Sequence, residues 1–258
     1  MNFGSRECSA SNLAAVRVVV IVPTYNEVEN VEAFLRAVRT AAPEVEIYIA
    51  DDASPDGTGA VADRVAAELG RVTVLHRPGK RGLGTAYRDA VSRVLPTNPD
   101  VVMMMDADFS HDPAAIPRFL EAIRAGADVV IGSRYVPGGR TVHWPWYRRW
   151  LSRWGNRYTS LMLRLPVADS TTGFRAFRTE ALRRMDILGT VSEGYSFTSE
   201  CILRAVHRGV GRIVEIPIVF EDRKWGTSKM NSRIIAESML RVTRWGLALL
   251  LRRRSVPS

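Results

Sequence analysis

Cysteine is almost absent from this sequence, which has only Cys8 and Cys201 among its 258 residues. Two cysteines cannot build a disulfide framework or a cysteine-rich metal site, and their scarcity fits a reducing, cytosolic-side location. The first fifteen residues contain no long apolar core, which argues against a secretory signal. No stretch approaches the roughly 20 apolar residues that a membrane-spanning helix needs. We therefore expect a chain that does not cross a membrane by itself.

Lysine is also scarce and occurs only at positions 80, 224 and 229, so arginine carries nearly all of the formal net charge of +9. Arginine is suited to planar, bidentate contact with phosphate. A basic balance indicates nucleic acid, an anionic membrane or a phosphorylated substrate, and composition does not choose among them. The 46% hydrophobic and 24% charged residues are ordinary globular values, and the length suits one large domain with a full core.

Apolar runs alternate with helical patterns through the first half of the chain. Continuous apolar runs predict buried parallel strands at 16–22, 45–50, 72–75, 101–105 and 128–132. Apolar residues at helical spacing predict helices at 26–40, 60–69, 85–94 and 113–125. Pro23 is expected to end the first strand, because proline cannot continue a central ladder. This alternation indicates an α/β fold with a doubly wound, mostly parallel central sheet.

Polar side chains follow three of the predicted strands where each strand ends. They are Tyr25 and Glu27, Asp51 and Asp52, and Asp106 and Asp108. In open α/β sheets the ligand crevice lies at the carboxyl ends of the strands, so one crevice could collect all three clusters.

Asp106 and Asp108 suggest a metal site. Side chains alternate along a strand, so the two acids should point the same way. Two like charges held close repel unless a cation neutralises them, and hard oxygen ligands suit Mg²⁺ or Mn²⁺. The alternative is a strand that simply ends in a solvated acidic turn.

A basic, glycine-rich loop, RPGKRGLGTA, occupies 77–86. It matches neither the P-loop spacing nor the full dinucleotide-binding fingerprint. Two interpretations remain open: a flexible turn that starts a helix, or a loop with a phosphate-binding or lid role.

Residues 143–165 combine tryptophan with arginine at helical spacing. The members are Trp144, Trp146, Trp150 and Trp154 with Arg148, Arg149, Arg153 and Arg157. This pattern is typical of an interfacial amphipathic helix, although a helix packed on the core or on a second subunit would also produce it. Nucleic-acid binding has no accompanying signature, and we expect none.

The rest of the chain contains further elements and a second basic loop. Residues 169–175 should form a polar turn leading to a helix, 193–207 a helix, 213–220 an edge strand because of Pro217, and 232–251 a last amphipathic helix. The basic loop at 221–230 is suited to gripping an anion. The arginines at 252–254 would favour anionic lipid headgroups, or else form a solvated helix end.

Six motifs occur together in a specific order. They are PTYNE (23–27), DDASPDGT (51–58), MDADFSHDP (105–113), GSRY (132–135), DSTTGFR (169–175) and DRKWGTSK (222–229). With these motifs the chain resembles the family 2 glycosyltransferases, and within them the polyprenol (dolichol) phosphate mannose synthases. The resemblance implies a single GT-A domain that transfers mannose from GDP-mannose to polyprenyl phosphate with inversion.

The resemblance also implies roles for individual residues. Guanosine would be held by Pro23, Tyr25, Glu27, Ala50 and Asp52. The nucleotide sugar would meet Asp106, Ala107 and Asp108, with Asp106 and Asp108 on a Mg²⁺ or Mn²⁺ ion. Phosphates would contact Arg134, Arg223 and Lys229, and Arg148 would lie near the acceptor phosphate. Some relatives have a metal-ligating Gln where this chain has Ser110, so we count Ser110 as a candidate ligand.

Domain limits and surroundings follow from the residue patterns together with the resemblance. We expect a flexible leader at 1–15, a GT-A domain at 16–231 with acceptor- and membrane-side helices at 139–165, and a C-terminal helix and basic tail at 232–258. The chain should lie peripherally on the cytoplasmic face of a membrane, through its amphipathic helices or a membrane-anchoring partner protein. Two alternatives remain: a transferase that uses a UDP-sugar, and a non-enzymatic module that binds a nucleotide sugar or lipid phosphate.

Overall fold

A seven-stranded sheet forms the centre of the computed structural model, which describes residues 16–194, 196–221 and 232–251. The strands are β1 (Val18–Thr24), β2 (Glu46–Asp51), β3 (Val72–His76), β4 (Val101–Met104), β5 (Val129–Ser133), β6 (Arg140–Thr141), β7 (Arg175–Arg178), β8 (Ile213–Pro217) and β9 (Val219–Phe220). The central sheet has the order β3-β2-β1-β4-β7-β5-β8, and β6 pairs with β9 in a small second sheet. Only β7 runs antiparallel to its neighbours in the central sheet.

Eight α-helices in the described residues connect and cover these strands. They are α1 (Val28–Ala41), α2 (Thr58–Leu69), α3 (Leu83–Val94), α4 (Ile116–Arg124), α5 (Trp146–Leu163), α6 (Thr179–Met185), α7 (Ser196–His207) and α8 (Ser232–Leu251). Short 3₁₀ turns lie at Leu95–Thr97, Pro113–Ala115 and Ile187–Gly189.

The sheet is covered on both faces, as its apolar strands predict. Successive side chains of a strand point to opposite faces. In β1, Val19 and Ile21 join one buried apolar cluster with residues of α3 and α7, whereas Val18 and Val20 join a second cluster with residues of α1 and α4. The expected doubly wound, mostly parallel fold is therefore confirmed.

Two local predictions are wrong. The turn at 169–175 leads first to β7, which lies between β4 and β5, and α6 follows only after that strand. Pro23 also does not end β1, which continues to Thr24 with Pro23 opposite Ala50. Pairing with β4 stops at Ile21, so Pro23 lies where β1 pairs with β2 alone. Proline is tolerated where a strand has an unpaired side.

The edge strand at 213–220 is confirmed, although it divides. Ile213–Pro217 pairs with β5 at the edge of the main sheet, and Val219–Phe220 pairs with β6. The leader 1–15, the loop 222–231 with Arg223 and Lys229, and the tail 252–258 lie outside the described residues.

Helix α5 is amphipathic and packs against α8. Its buried side chains are Asn156, Thr159 and Leu163, and the Tyr158 hydroxyl lies 2.7 Å from that of Thr243 on α8. Trp146 and Trp150 are 74% and 63% exposed. None of the helices in the described part of the chain combines the length and the apolar character that crossing a membrane requires.

Candidate active site

The carboxyl ends of β2, β1 and β4 lie side by side at one edge of the sheet. Antiparallel β7 brings its amino end to the same edge, preceded by Gly173. A Cβ atom at Gly173 would lie 3.6 Å from an Asp106 carboxylate oxygen and 3.2 Å from the His111 ring. The turn at 169–175 therefore packs directly against the acidic turn after β4, and glycine allows this close approach.

Asp106 and Asp108 lie in the turn that follows β4 and not in the strand itself, which ends at Met104. The expectation that both acids belong to the strand is therefore wrong, and strand alternation gives no reason for the direction of their side chains. Phe109, with a φ of 62°, turns the backbone sharply after them. The Asp106 side chain is 40% exposed. Asp108 is buried, and its carboxylate accepts a hydrogen bond from the Ser110 backbone N–H at 3.1 Å.

The side chain of His111 holds the acidic turn after β4 in place. Its Nδ1 accepts a hydrogen bond from the Asp106 backbone N–H at 2.9 Å, and its ring stacks on Phe174 with centroids 5.1 Å apart. Burial lowers the pKa of His111 to about 4, so the ring is neutral and Nδ1 serves as an acceptor near pH 7. Sequence reasoning gave His111 no role, although it lies inside the MDADFSHDP motif.

The predicted metal pair suits a cation that shares its ligands with substrate. Among the described residues, no group of three or more His, Cys, Asp or Glu side chains is gathered closely enough to hold a metal on its own. The two carboxylates are hard oxygen donors, and Mg²⁺ typically binds through one or two carboxylates plus substrate phosphate and water. The chemistry of this donor set therefore fits such an ion. Ser110 is buried beside them.

Arg134, at the end of β5, forms a buried ion pair with Asp169. Its Nε and Nη2 donate to the two Asp169 carboxylate oxygens at 2.7 Å each, and its backbone N–H donates to the same group at 3.0 Å. Burial alone would raise the pKa of Asp169, but the Arg134 charge and these hydrogen bonds hold that pKa below its ordinary value. The turn is held in place by Glu215, which accepts from the backbone N–H groups of Ala168 and Asp169 at 2.7 and 2.9 Å.

Aromatic rings surround the Arg134 guanidinium. Its central carbon lies 5.2 Å from the ring centres of Tyr135 and Phe220 and 5.9 Å from that of Trp144. The guanidinium of Arg148, in the first turn of α5, lies 4.1 Å from the same Trp144 ring. The structure thus brings Arg134 and Arg148 to one tryptophan.

Asp51 and Asp52 have different partners at the end of β2. Asp51 accepts hydrogen bonds from Thr24 at 2.9 Å and from the Ser54 backbone at 3.0 Å, which ties β2 to β1. Asp52 is buried and pairs with Arg77, which also donates to Asp89 at 2.9 Å. Sequence reasoning missed Arg77, whose signal was an arginine directly after the neighbouring strand β3.

The glycine-rich loop contacts two of the predicted nucleoside residues. Arg77 pairs with Asp52, and the Lys80 ammonium lies 4.1 Å from the ring centre of Tyr25. Two of its three glycines have a packing role, because a Cβ atom at Gly82 or Gly84 would overlap the backbone of Glu193 or Ser192. Gly82 also has a φ of 96°, a conformation that favours glycine. The loop is therefore a tightly packed support for Asp52.

Arg175, the first residue of β7, is another buried cation that sequence reasoning missed. It donates to the backbone carbonyl of Ser170 at 2.7 Å and to that of Thr198. Burial lowers its pKa. These hydrogen bonds anchor the turn that carries Asp169 to the start of α7.

Comparison with known proteins identifies the family. The model of glycosyl transferase family 2 matches residues 19–186. The undecaprenyl-phosphate mannosyltransferase of Micrococcus luteus is 48% identical over 233 residues, which cover 90% of this chain and 95% of that protein. The polyprenol monophosphomannose synthase of Mycolicibacterium smegmatis is 44% identical over 245 residues, with 95% and 92% covered.

Solved structures share the fold at lower identity. Glucosyl-3-phosphoglycerate synthase from Mycobacterium tuberculosis, in complex with Mn²⁺, UDP and glucosyl-3-phosphoglycerate, superimposes with a TM-score of 0.60 at 19% identity, covering 95% of this chain and 82% of that one. At this identity the likeness concerns the fold, which is of the GT-A type. With the family match over most of its length, the chain belongs to glycosyl transferase family 2 and is a glycosyltransferase.

Proposed function

We propose that this glycosyltransferase transfers mannose from GDP-mannose to a polyprenyl monophosphate, with inversion at the anomeric carbon. The observation that carries the proposal is the pair of relatives at 48% and 44% identity, whose names give mannose and a polyprenyl phosphate, and both are aligned over at least nine-tenths of their own length. The six motifs, in their order, point to the same reaction. The product would be a lipid-linked mannose donor.

Asp106 and Asp108 are the proposed ligands of a Mg²⁺ or Mn²⁺ ion, with Ser110 beside them. When bound, such an ion would neutralise negative charge on the donor diphosphate and on the departing GDP. The exposed Asp106 carboxylate and the buried Asp108 carboxylate suit an ion that faces solvent and substrate on one side. His111 supports this arrangement by holding the Asp106 backbone.

The acceptor needs little activation, because a phosphate monoester is already largely anionic near neutral pH, its second pKa being about 6. Its oxygen attacks the anomeric carbon as the bond to GDP breaks. The chain must therefore orient two anionic substrates and screen their charges. We assign this task to Arg134 and Arg148, which meet at Trp144, and to Arg223 and Lys229 of the loop beyond β9.

The donor nucleoside would bind at the ends of β1 and β2. We assign Pro23, Tyr25, Glu27, Ala50 and Asp52 to guanosine, and Ala107 to the nucleotide sugar. The Arg77 contact with Asp52 keeps that carboxylate in one place, and Lys80 covers Tyr25.

The chain would act on the cytoplasmic face of a membrane as a peripheral protein. The exposed tryptophans of α5 and the exposed leucines of α8, Leu240, Leu247 and Leu250, support this assignment. Contact would come through these helices or through a membrane-anchoring partner protein.

Radiolabel transfer into organic-extractable lipid tests the proposal directly. The assay supplies polyprenyl phosphate with Mg²⁺ or Mn²⁺, and GDP-mannose and UDP-glucose serve as donors in parallel. We expect labelled lipid from GDP-mannose that disappears with EDTA. Label from UDP-glucose alone would mean that the donor is a UDP-sugar and not GDP-mannose. No lipid label from either donor would favour a non-enzymatic binding module.

A matched pair of variants tests the metal assignment. Asp108→Asn removes one proposed ligand charge and should abolish mannosyl transfer and weaken Mn²⁺ binding. Asp112→Asn makes the same change four residues later, where the exposed side chain caps the turn at Pro113 and where Asn also caps well. It should retain activity. Full transfer by the Asp108 variant would contradict the assignment.

A further inference from the structure

A cavity of 90 Å³ lies between β6 and the first half of α5. Four arginines line it, Arg134, Arg140, Arg149 and Arg153, together with Tyr135 and Thr141. None of the described residues that line this arginine cavity is acidic. Arg148 does not line it, because its guanidinium stacks on Trp144.

Three of the four arginines bring uncompensated charge to the arginine cavity. Asp169 already neutralises Arg134. Within the described part of the chain, Arg140, Arg149 and Arg153 have no carboxylate partner, and Arg153 only lies near the Tyr135 ring, at 5.7 Å. Several guanidinium groups around one small cavity match a phosphate group, which accepts bidentate hydrogen bonds from each.

The neighbouring surface of α5 indicates what kind of phosphate-containing molecule the arginine cavity binds. Arg149 and Arg153 are one turn apart, and Trp146, Trp150 and Trp154 form a parallel stripe beside them, 74%, 63% and 47% exposed. Tryptophan prefers the headgroup level of a bilayer. When these rings lie at that level, the adjacent cavity opens where phospholipid phosphates are found.

We propose that the arginine cavity binds the phosphate headgroup of an anionic bilayer phospholipid and so orients the enzyme on the membrane. This site adjoins the one that the proposed function assigns to the reacting acceptor and shares Arg134 with it, but Arg140, Arg149 and Arg153 belong to the arginine cavity alone. The inference rests on the proposed membrane location, and it does not depend on the identity of donor or acceptor.

Vesicle co-sedimentation of the full chain tests it, with phosphatidylcholine vesicles that contain or lack phosphatidylglycerol. A basic residue near an anionic surface contributes about a fivefold change in affinity, so Arg149→Gln/Arg153→Gln should bind the anionic vesicles about 25-fold more weakly. Arg118→Gln/Arg124→Gln is the matched control, because it removes the same charge from exposed positions on α4. It should bind nearly as the unmodified chain does.

Charge-conserving variants separate a built site from general attraction. Arg149→Lys/Arg153→Lys keeps the charge but loses the bidentate fork, and it should recover only part of the affinity. If the lysine variant recovered the full affinity, or if the α4 control lost as much affinity as the glutamine variant, net charge alone would explain the binding. Either result would overturn the proposed site. Displacement by inorganic phosphate at constant ionic strength would identify a free-phosphate site and overturn the lipid assignment.

Mannosyl transfer in detergent, with saturating acceptor, distinguishes this inference from the proposed function. Without a bilayer, the Arg149→Gln/Arg153→Gln variant should transfer mannose as fast as the unmodified chain. Loss of transfer there would assign these arginines to the acceptor site and contradict a separate headgroup site. Absence of transfer by the unmodified chain would overturn the proposed function alone, since vesicle binding is measured without donor.

Discussion

Arg134 and Asp169 are both buried, and each would be costly to bury without the other. Asp169→Asn keeps the size of the side chain but leaves the guanidinium without a compensating charge. Breaking a buried pair in this way costs about 3–5 kcal/mol, so we expect the free energy of unfolding to fall by that amount in urea titrations. Glu68→Gln, in the exposed network with Arg36 and Arg64, should change it far less. Similar losses in both variants would contradict the special role of the buried pair.

The same pair predicts a pH dependence. The pKa of Asp169 is lower in the folded chain than in the unfolded one, so its contribution is present above the unfolded pKa of about 3.9 and is lost as pH falls through the folded value. Stability of the unmodified chain should therefore decrease in acid. The Asp169→Asn variant should lack this part of the decrease, and parallel pH curves for the two proteins would refute it.

His111 allows a separate test of the acidic turn. His111→Phe keeps an aromatic ring against Phe174 but removes the acceptor for the Asp106 backbone N–H. Groups that support metal ligands typically change metal affinity 10–100-fold, and we expect a loss of about that size in Mn²⁺ binding. His111→Asn restores an acceptor near Nδ1 and should recover part of the affinity. If both variants bind Mn²⁺ equally well, His111 does not position the turn.

At the scale of elements, the glycine-rich segment at 77–86, which runs into the first turn of α3, depends on close backbone packing. A methyl group at Gly84 would overlap the Ser192 carbonyl, whereas one at Gly79 in the same segment meets no atom within 4 Å. Overpacking of this kind costs about 1–3 kcal/mol. Gly84→Ala should therefore lower the melting temperature and, through Arg77 and Asp52, weaken nucleotide binding. Gly79→Ala should do neither, and equal behaviour of the two variants would contradict the packing argument.

Strands β1 to β5 could be predicted because their own residues carry the signal. Strands β1, β4 and β5 are runs of mostly apolar residues buried on both faces, whereas β2 and β3 are partly exposed but still have an apolar core. Strand β7 could not be predicted in this way. Its sequence, Arg-Ala-Phe-Arg, has only four residues and begins and ends with arginine, and its place between β4 and β5 depends on long-range pairing that no local pattern encodes.

The candidate site likewise contains residues that local sequence patterns predict and residues that only long-range contacts place. Acids and polar residues that directly follow predicted strands could be assigned to one edge of the sheet from sequence. Partners far apart in the chain could not: Asp169 reaches Arg134 across 35 positions, and Arg77 reaches Asp52 across 25. These contacts exist only once the sheet order is fixed, since each joins loops at neighbouring strand ends.

At the scale of the whole molecule, the candidate active site and the exposed tryptophans of α5 lie on elements that follow one another along the chain. The acidic turn follows β4, Arg134 directly follows β5, and β6 and α5 continue from there to the exposed tryptophans. His111 and Trp144 both make edge contacts with Phe220, at 6.0 and 5.4 Å. The proposed metal ligands, the arginines proposed for the acceptor and the proposed membrane surface are thus joined through a few aromatic rings.

Membrane binding should therefore have two separable parts, one from arginine charge and one from the tryptophans. Trp150→Ser/Trp154→Ser should reduce affinity for neutral and anionic vesicles alike, by roughly tenfold, since about 1.4 kcal/mol of apolar burial would be lost. Stability should change little, because Trp150 is 63% exposed and Trp154 loses mainly its stacking on Tyr158, at 5.5 Å between ring centres. Leu188→Ser, an exposed apolar residue outside α5 and α8, is the control and should bind as before.

Salt should weaken the arginine part of membrane binding but not the tryptophan part. Screening shortens the reach of charges from about 10 Å at 0.1 M to about 3 Å at 1 M ionic strength. Raising the salt concentration should therefore release the unmodified chain from anionic vesicles down to the affinity it has for neutral ones, and the tryptophan variant should be released almost completely. Tryptophan fluorescence during vesicle titration measures both effects. Unchanged binding by the tryptophan variant would mean that this face of α5 does not contact lipid, and it would then favour a protein partner on the same surface.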